Sequence, residues 1–169
     1  MSKLIKIDNN YAGWIKDLSL RFRQSQIKAA VKVNSELIQF YWELGRDIVD
    51  RQATNHYGDN LIDSISEDLQ ALLPGVKGLS RINLYYCKRF FLLYSKVPQV
   101  VVQLKMIPWG HHRYIIDKCS GDLDKALFFV NSIIKNNWSR GVLLNFLDTN
   151  RYERQGKSNN RLQEHLAEY

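Results

Sequence analysis

Apolar residues recur three or four positions apart along most of this chain, the period of helices that bury one face. From Tyr11 to about Gln52 the run is Trp14, Leu18, Phe22, then Ala30, Val33, Leu37, Tyr41, Leu44 and Ile48, uninterrupted by proline, and it predicts one long helix. A second line, Ile27, Val31, Ile38, Trp42 and Val49, joins over the later half. A helix apolar on two faces is packed on two sides. That half is therefore expected at the centre of the fold or in a subunit interface, with Leu37, Ile38, Tyr41 and Trp42 as candidate interface residues. Gly45 has no side chain and predicts close approach of another backbone. Glu43, the carboxylate of this aromatic cluster, reads as a buried partner for an arginine or an amide rather than as a catalytic acid.

Residues 53–60 read as a loop, with Asp59 or Asn60 capping the next helix. That helix, Leu61–Leu72, puts Leu61, Ile65, Leu69 and Leu72 on one side and Asp63, Glu67 and Asp68 toward solvent. The turn Leu73–Leu79, with Pro74, Gly75 and Gly78, is longer than that of a tight helix–turn–helix. Ser80 caps a second helix running to about Lys96, and Leu79 and Leu84 form a hydrophobic staple. Leu84, Cys87, Phe91 and Tyr94 should face the core, with Phe90 at its edge. Arg81, Tyr85, Lys88 and Arg89 are left outward, flanked by Asn83 and Tyr86.

Val97–Ile107 is β-branched after a proline and reads either as a short strand near 99–105, as in a winged variant, or as a loop packing its valines inward. Pro108 opens a helix whose Trp109, Ile115 and Ile116 point inward. His111 and His112 are adjacent, about 100° apart on a helix, and cannot easily share a metal; no metal site is expected. Asp122 caps a helix to about Asn136 with Leu123, Ala126, Leu127, Val130, Ile133 and Ile134 as its buried stripe. Ser139 caps a last helix, with Trp138 and Leu143 as its staple pair, and Leu143, Phe146 and Leu147 bury it. Residues 1–10 read as a loose arm, 153–169 as a polar linker or tail, and Arg161–Tyr169 as a short terminal helix. The expectation is an all-α protein: one helix–turn–helix-type domain over residues 1–152, then the tail.

Charge sharpens this picture. The net charge is +7, and residues 76–118 hold eight Lys/Arg against one acid, Asp117, while the flanking segments are nearly balanced. A concentrated positive field attracts polyanions, with salt-dependent affinity from counterion release. Lys77, Ser80, Arg81, Asn83, Tyr85, Lys88 and Arg89 are the candidate nucleic-acid-binding residues. Arg81, Asn83 and Tyr85 would lie near the major groove, and Lys77, Lys88 and Arg89 on phosphates. DNA is the expected partner. RNA is an alternative, since tyrosines on a basic helix can stack on unpaired bases. A protein-interaction or dimerisation module without nucleic acid is a second alternative. No second acid or histidine is spaced to work with Glu43, so neither catalysis nor a cofactor is expected. The N-terminus has no apolar run of the signal-peptide kind, and no stretch approaches a membrane span. Cys87 and Cys119, without metal-type spacing, read as free thiols of a cytoplasmic protein.

Several short phrases in order carry a further signal: Tyr41-Trp42-Glu43-Leu44-Gly45-Arg46, Leu69 through Pro74-Gly75 to Gly78-Leu79-Ser80, Asn83-Leu84 with Phe90-Phe91, Pro108-Trp109-Gly110-His111-His112, Asn137-Trp138-Ser139-Arg140, and Tyr152-Glu153-Arg154. Over residues 10 to 155 the chain resembles the N-terminal domain of the bacterial YhcG-like family, described as PD-(D/E)XK nuclease-domain proteins. The resemblance implies a mainly helical, helix–turn–helix DNA-binding part, with metal-dependent cleavage residing in a separate C-terminal nuclease domain or subunit. It therefore implies the targeting half of a nuclease, or a stand-alone relative, and no cleavage by this chain. It points by position to Ser80, Arg81 and Asn83, and to Trp109, His111 and His112. After the linker, Ser158-Asn159-Asn160 departs from the family's continuation.

Overall fold

The computed structural model describes residues 9–54 and 60–149, together with residue 152. Of the loop expected at 53–60, residues 53 and 54 are helical and 55–59 lie outside the described residues; of the arm expected over 1–10, residues 9 and 10 are helical and 1–8 lie outside, as does the tail with its terminal helix. So do the side chains of Trp14, Leu18 and Phe22.

The chain is all-α, without a strand among the described residues. Helix α1 spans Asn9–Thr54, 46 residues, a rod of about 69 Å at ~1.5 Å per residue. Then come α2 (Leu61–Leu72), α3 (Arg81–Tyr94), a 3₁₀ turn (Pro98–Val100), α4 (Val101–Leu104), α5 (Trp109–Cys119), α6 (Leu123–Asn136) and α7 (Arg140–Asp148). Three N-caps form as their sequences predict. The hydroxyls of Ser80 and Ser139 and the carboxylate of Asp122 accept from the backbone N–H groups of Asn83, Val142 and Lys125. Asn60 stands at the start of α2 but caps it with no side-chain bond.

Helix α3 is the centre of the molecule, packed on α1, α2 and α5. Ile38, Tyr41, Trp42 and Ile48 bring α1 onto it. At their closest point a side-chain carbon on Gly45 would run into the Cys87 carbonyl oxygen, with Phe91 Cβ 3.0 Å away. That is the backbone approach Gly45 predicts. The main core joins Ile38, Trp42, Phe90, Tyr94, Ile115, Ile116, Phe129, Val130 and Leu143 across α1, α3, α5, α6 and α7, and a smaller cluster of Ile48, Ile62 and Leu84 seats α2.

Several expectations need correction. Ile38, Tyr41 and Trp42 are buried inside the chain against α3 and α5, so they are not interface residues; Leu37 is 39% exposed. Within the chain the later half of α1 packs on one side only, with Val33, Leu37 and Phe40 facing away from the core. Glu43 is exposed and accepts a 2.9 Å bond from Gln39. Helix α2 buries Ile62 and Ser66, while Leu72 is 76% exposed. Phe90 is fully buried, not peripheral.

The strand near 99–105 does not form. Pro98, with its fixed φ, opens the 3₁₀ turn instead, and no other strand exists among the described residues to pair with β-branched positions. The segment is held helical by its packing. Val100, Val101, Leu104 and Ile107 meet the core, and Asn34 of α1 donates to the carbonyls of Lys105 and Ile107 at 3.1 and 3.2 Å.

Candidate nucleic-acid interface

Helix α3 sorts its residues by angle. Asn83, Leu84, Cys87, Phe90 and Tyr94 are buried on one side, while Arg81, Tyr85, Lys88, Arg89 and Leu92 share the other, with Lys96 exposed in the turn that follows. Three basic side chains from a segment with one acid therefore emerge on a single outer face. Arg81 lies over the Tyr85 ring, 5.6 Å from its centroid, and forms a 2.6 Å ion pair with Asp63 of α2. The Tyr85 hydroxyl and the Asp63 carboxylate together hold the guanidinium charged. Arg81 is largely exposed and Asp63 half-buried, and such surface pairs contribute little to stability.

A second group lies one turn on. The Tyr86 hydroxyl donates to both oxygens of Asp117, at 2.9 and 2.8 Å. Arg89 reaches Asp117 and the carbonyl of Ile116 at 3.3 Å each. Arg113 of α5 sits 4.4 Å over the Tyr86 ring, and Arg89 lies 5.5 Å from it. Lys88 and Arg113 make no ion pair among the described residues. The one acid of the basic segment thus neutralises Arg89 and leaves Lys88 and Arg113 uncompensated. Beside this group a cleft of about 280 Å³ opens between α3 and the α5–α6 turn, edged by Arg89 and Lys96.

The structure divides the sequence candidates. Arg81, Tyr85, Lys88 and Arg89 come together on the outer face, with Lys77 exposed in the preceding turn. Asn83 does not join them. It is buried, its amide donates to the Gly78 carbonyl at 2.7 Å, and its oxygen accepts from the Trp109 indole at 2.8 Å. The inward angle of position 83 removes it from any groove. Ser80 keeps its hydroxyl on the helix cap. Arg113 and Lys96 are members that the sequence candidates omit. No signal in the sequence sets Arg113 outward: it stands about 40° from the inward Trp109 around the helix.

The Pro108-Trp109-Gly110-His111-His112 and Asn137-Trp138-Ser139-Arg140 phrases meet each other rather than the outer face. His111 Nε2 donates to the Trp138 carbonyl and His112 Nε2 to the Leu104 carbonyl, each at 2.8 Å. A side-chain carbon on Gly110 would lie 2.9 Å from Arg140 Cδ. Burial lowers the His112 pKa to about 4, so the ring is neutral at pH 7. Both histidines are fold residues. Burial likewise raises the Cys87 thiol to about 12, which leaves it without nucleophilic thiolate at neutral pH. Among the described residues no group of three His, Cys, Asp or Glu could hold a metal. No helix among them is long and apolar enough to cross a membrane.

No curated protein and no solved structure matches the chain. The DUF1016 N-terminal domain, which the YhcG-like family carries and which is often found in nuclease-like proteins, matches residues 17–154. With that match over most of its length, and with the all-α architecture that the resemblance implies, the chain belongs to the DUF1016 N-terminal domain family.

Proposed function

We propose that the outer face of α3 is a DNA-binding surface, and that the chain serves as the targeting part of a nuclease-type protein. The carrying observation is the convergence of Arg81, Lys88 and Arg89 on one face of α3, with Lys96 just past its end and Arg113 of α5 alongside. Lys88 and Arg113, free of acids, are the primary phosphate contacts. Arg81 sits at the N-terminal end of the helix that would approach the groove, where readers of this kind place their base contacts. The exposed acids Glu67 and Asp68 of α2 repel a phosphate backbone on that flank. They favour an approach from the α5 side. Tyr85 and Tyr86 each carry an arginine over the ring. That leaves less aromatic surface for stacking on unpaired bases and favours duplex over single-stranded RNA.

The test is duplex affinity by fluorescence anisotropy across a salt series. Affinity should fall steeply with salt, and Lys88→Ala with Arg113→Ala should flatten the log–log slope by about 2, roughly one for each phosphate contact removed. A flat salt dependence, or an unchanged slope in the double variant, would reject this face.

A further inference from the structure

Between Ala12 and Val33 every side chain described on α1 is exposed, among them Ile15, Leu20, Ile27, Val31 and Val33. This arm is about 33 Å long at ~1.5 Å per residue, the same as the seated part from Asn34 to Thr54. A bare helix carrying β-branched residues and a glycine gains little from propensity and depends on packing. Two patterns on its surface identify what packs there.

The first is apolar. Ala29, Val33, Leu37 and Phe40 follow three-and-four spacing on the face turned away from the core, with Val33 67% and Phe40 46% exposed. This stripe continues through Leu44 into a cleft of about 430 Å³ between α1 and α2. The second is electrostatic. One flank of the stripe carries Arg21, Lys28 and Lys32, then Glu36, Glu43 and Asp50, all exposed and at helical spacing. Asp17, paired with Arg21, and Arg46 interrupt the series, but bases predominate before residue 34 and acids after it. A two-fold axis near residue 35 brings Lys32 near Glu36, Lys28 near Glu43 and Arg21 near Asp50 of an antiparallel partner helix. In the same register Val33 faces Leu37, and Ala29 faces Phe40. A surface that complements itself under a two-fold rotation is the requirement of an isologous dimer.

We infer that the chain forms an antiparallel dimer through α1, the arm of each copy lying along the seated half of the other. A parallel pair would lay the two basic arms side by side. The inference is independent of DNA binding: a dimer that binds no DNA leaves it intact.

Sedimentation equilibrium on the full chain tests it. The wild type should reach twice the monomer mass. Leu37→Glu with Phe40→Glu should give a monomer with unchanged far-UV circular dichroism. Both positions are exposed, so the fold does not require them. Lys28→Glu with Lys32→Glu should weaken association about tenfold, and adding Glu36→Lys with Glu43→Lys should restore it. A monomer at all concentrations, a dimer indifferent to the apolar substitutions, or a failure of the four-site swap to restore association would each overturn the inference. In a parallel pair the double charge reversal would not weaken association, which separates the two orientations.

Discussion

Asn83 shows how one side chain can fix a loop and a distant helix together. Its amide holds the Gly78 carbonyl from one end and the Trp109 indole from the other. Asn83→Ala leaves a largely buried indole N–H unpaired, and should cost about 2 kcal/mol in urea unfolding. His112 makes the stability of the fold depend on pH. Its folded pKa lies near 4 against an ordinary 6.5, so between those values the unfolded chain binds more protons than the folded one. Stability is full above pH 6.5 and is lost as pH falls toward 4. The urea midpoint of the wild type should drop through that window, and a His112→Asn variant, though less stable throughout, should drop less. At this scale the sequence is legible where a residue's neighbours in the chain decide its role, as for Gly45 and the N-cap serines. It misleads for Asn83, which shares an angle with Leu84, Cys87 and Phe90. The amide's chemistry suggests adenine, and only the fold supplies Gly78 and Trp109 as its partners.

At the scale of elements, the junction of α1 with α3 is the tightest contact in the molecule. Gly45→Ala would force two backbones apart, a cost on the order of 3 kcal/mol, read as a lowered midpoint in thermal or urea unfolding. Helix α3 begins on the Ser80 cap, so Ser80→Ala should destabilise by about 1 kcal/mol without touching the outer face. Asp63 of α2 is the acid that competes for Arg81. Under the DNA reading, Asp63→Asn should raise duplex affinity several-fold, whereas a purely structural ion pair would leave binding unchanged. Helix boundaries were readable because caps and periodicity are local. The 97–107 segment was not, because a β-branched run becomes a strand only when another strand lies beside it. Here it meets Asn34 and the core instead.

On the scale of the whole molecule, charge has two separate jobs. The excess in the middle of the chain gathers on α3 and α5, while the charges of α1 are nearly balanced but sorted along its length. The all-α class, the long first helix and family membership could all be read from the pattern. The exposed outer stripe of α1 could not, because periodicity shows that a face is apolar but not which side the core will occupy.

The clasp that Asn34 makes on the Lys105 and Ile107 carbonyls marks where the rod leaves the body. Above it stand Lys16, Arg21, Arg23, Lys28 and Lys32, each at an exposed position. Brief trypsin treatment should therefore trim the rod back to Lys32 and stall there, since the backbone beyond is locked against α3. Mass spectrometry of the surviving fragment would locate that boundary. Slower trimming at higher protein concentration would show the rod sheltered by its own kind.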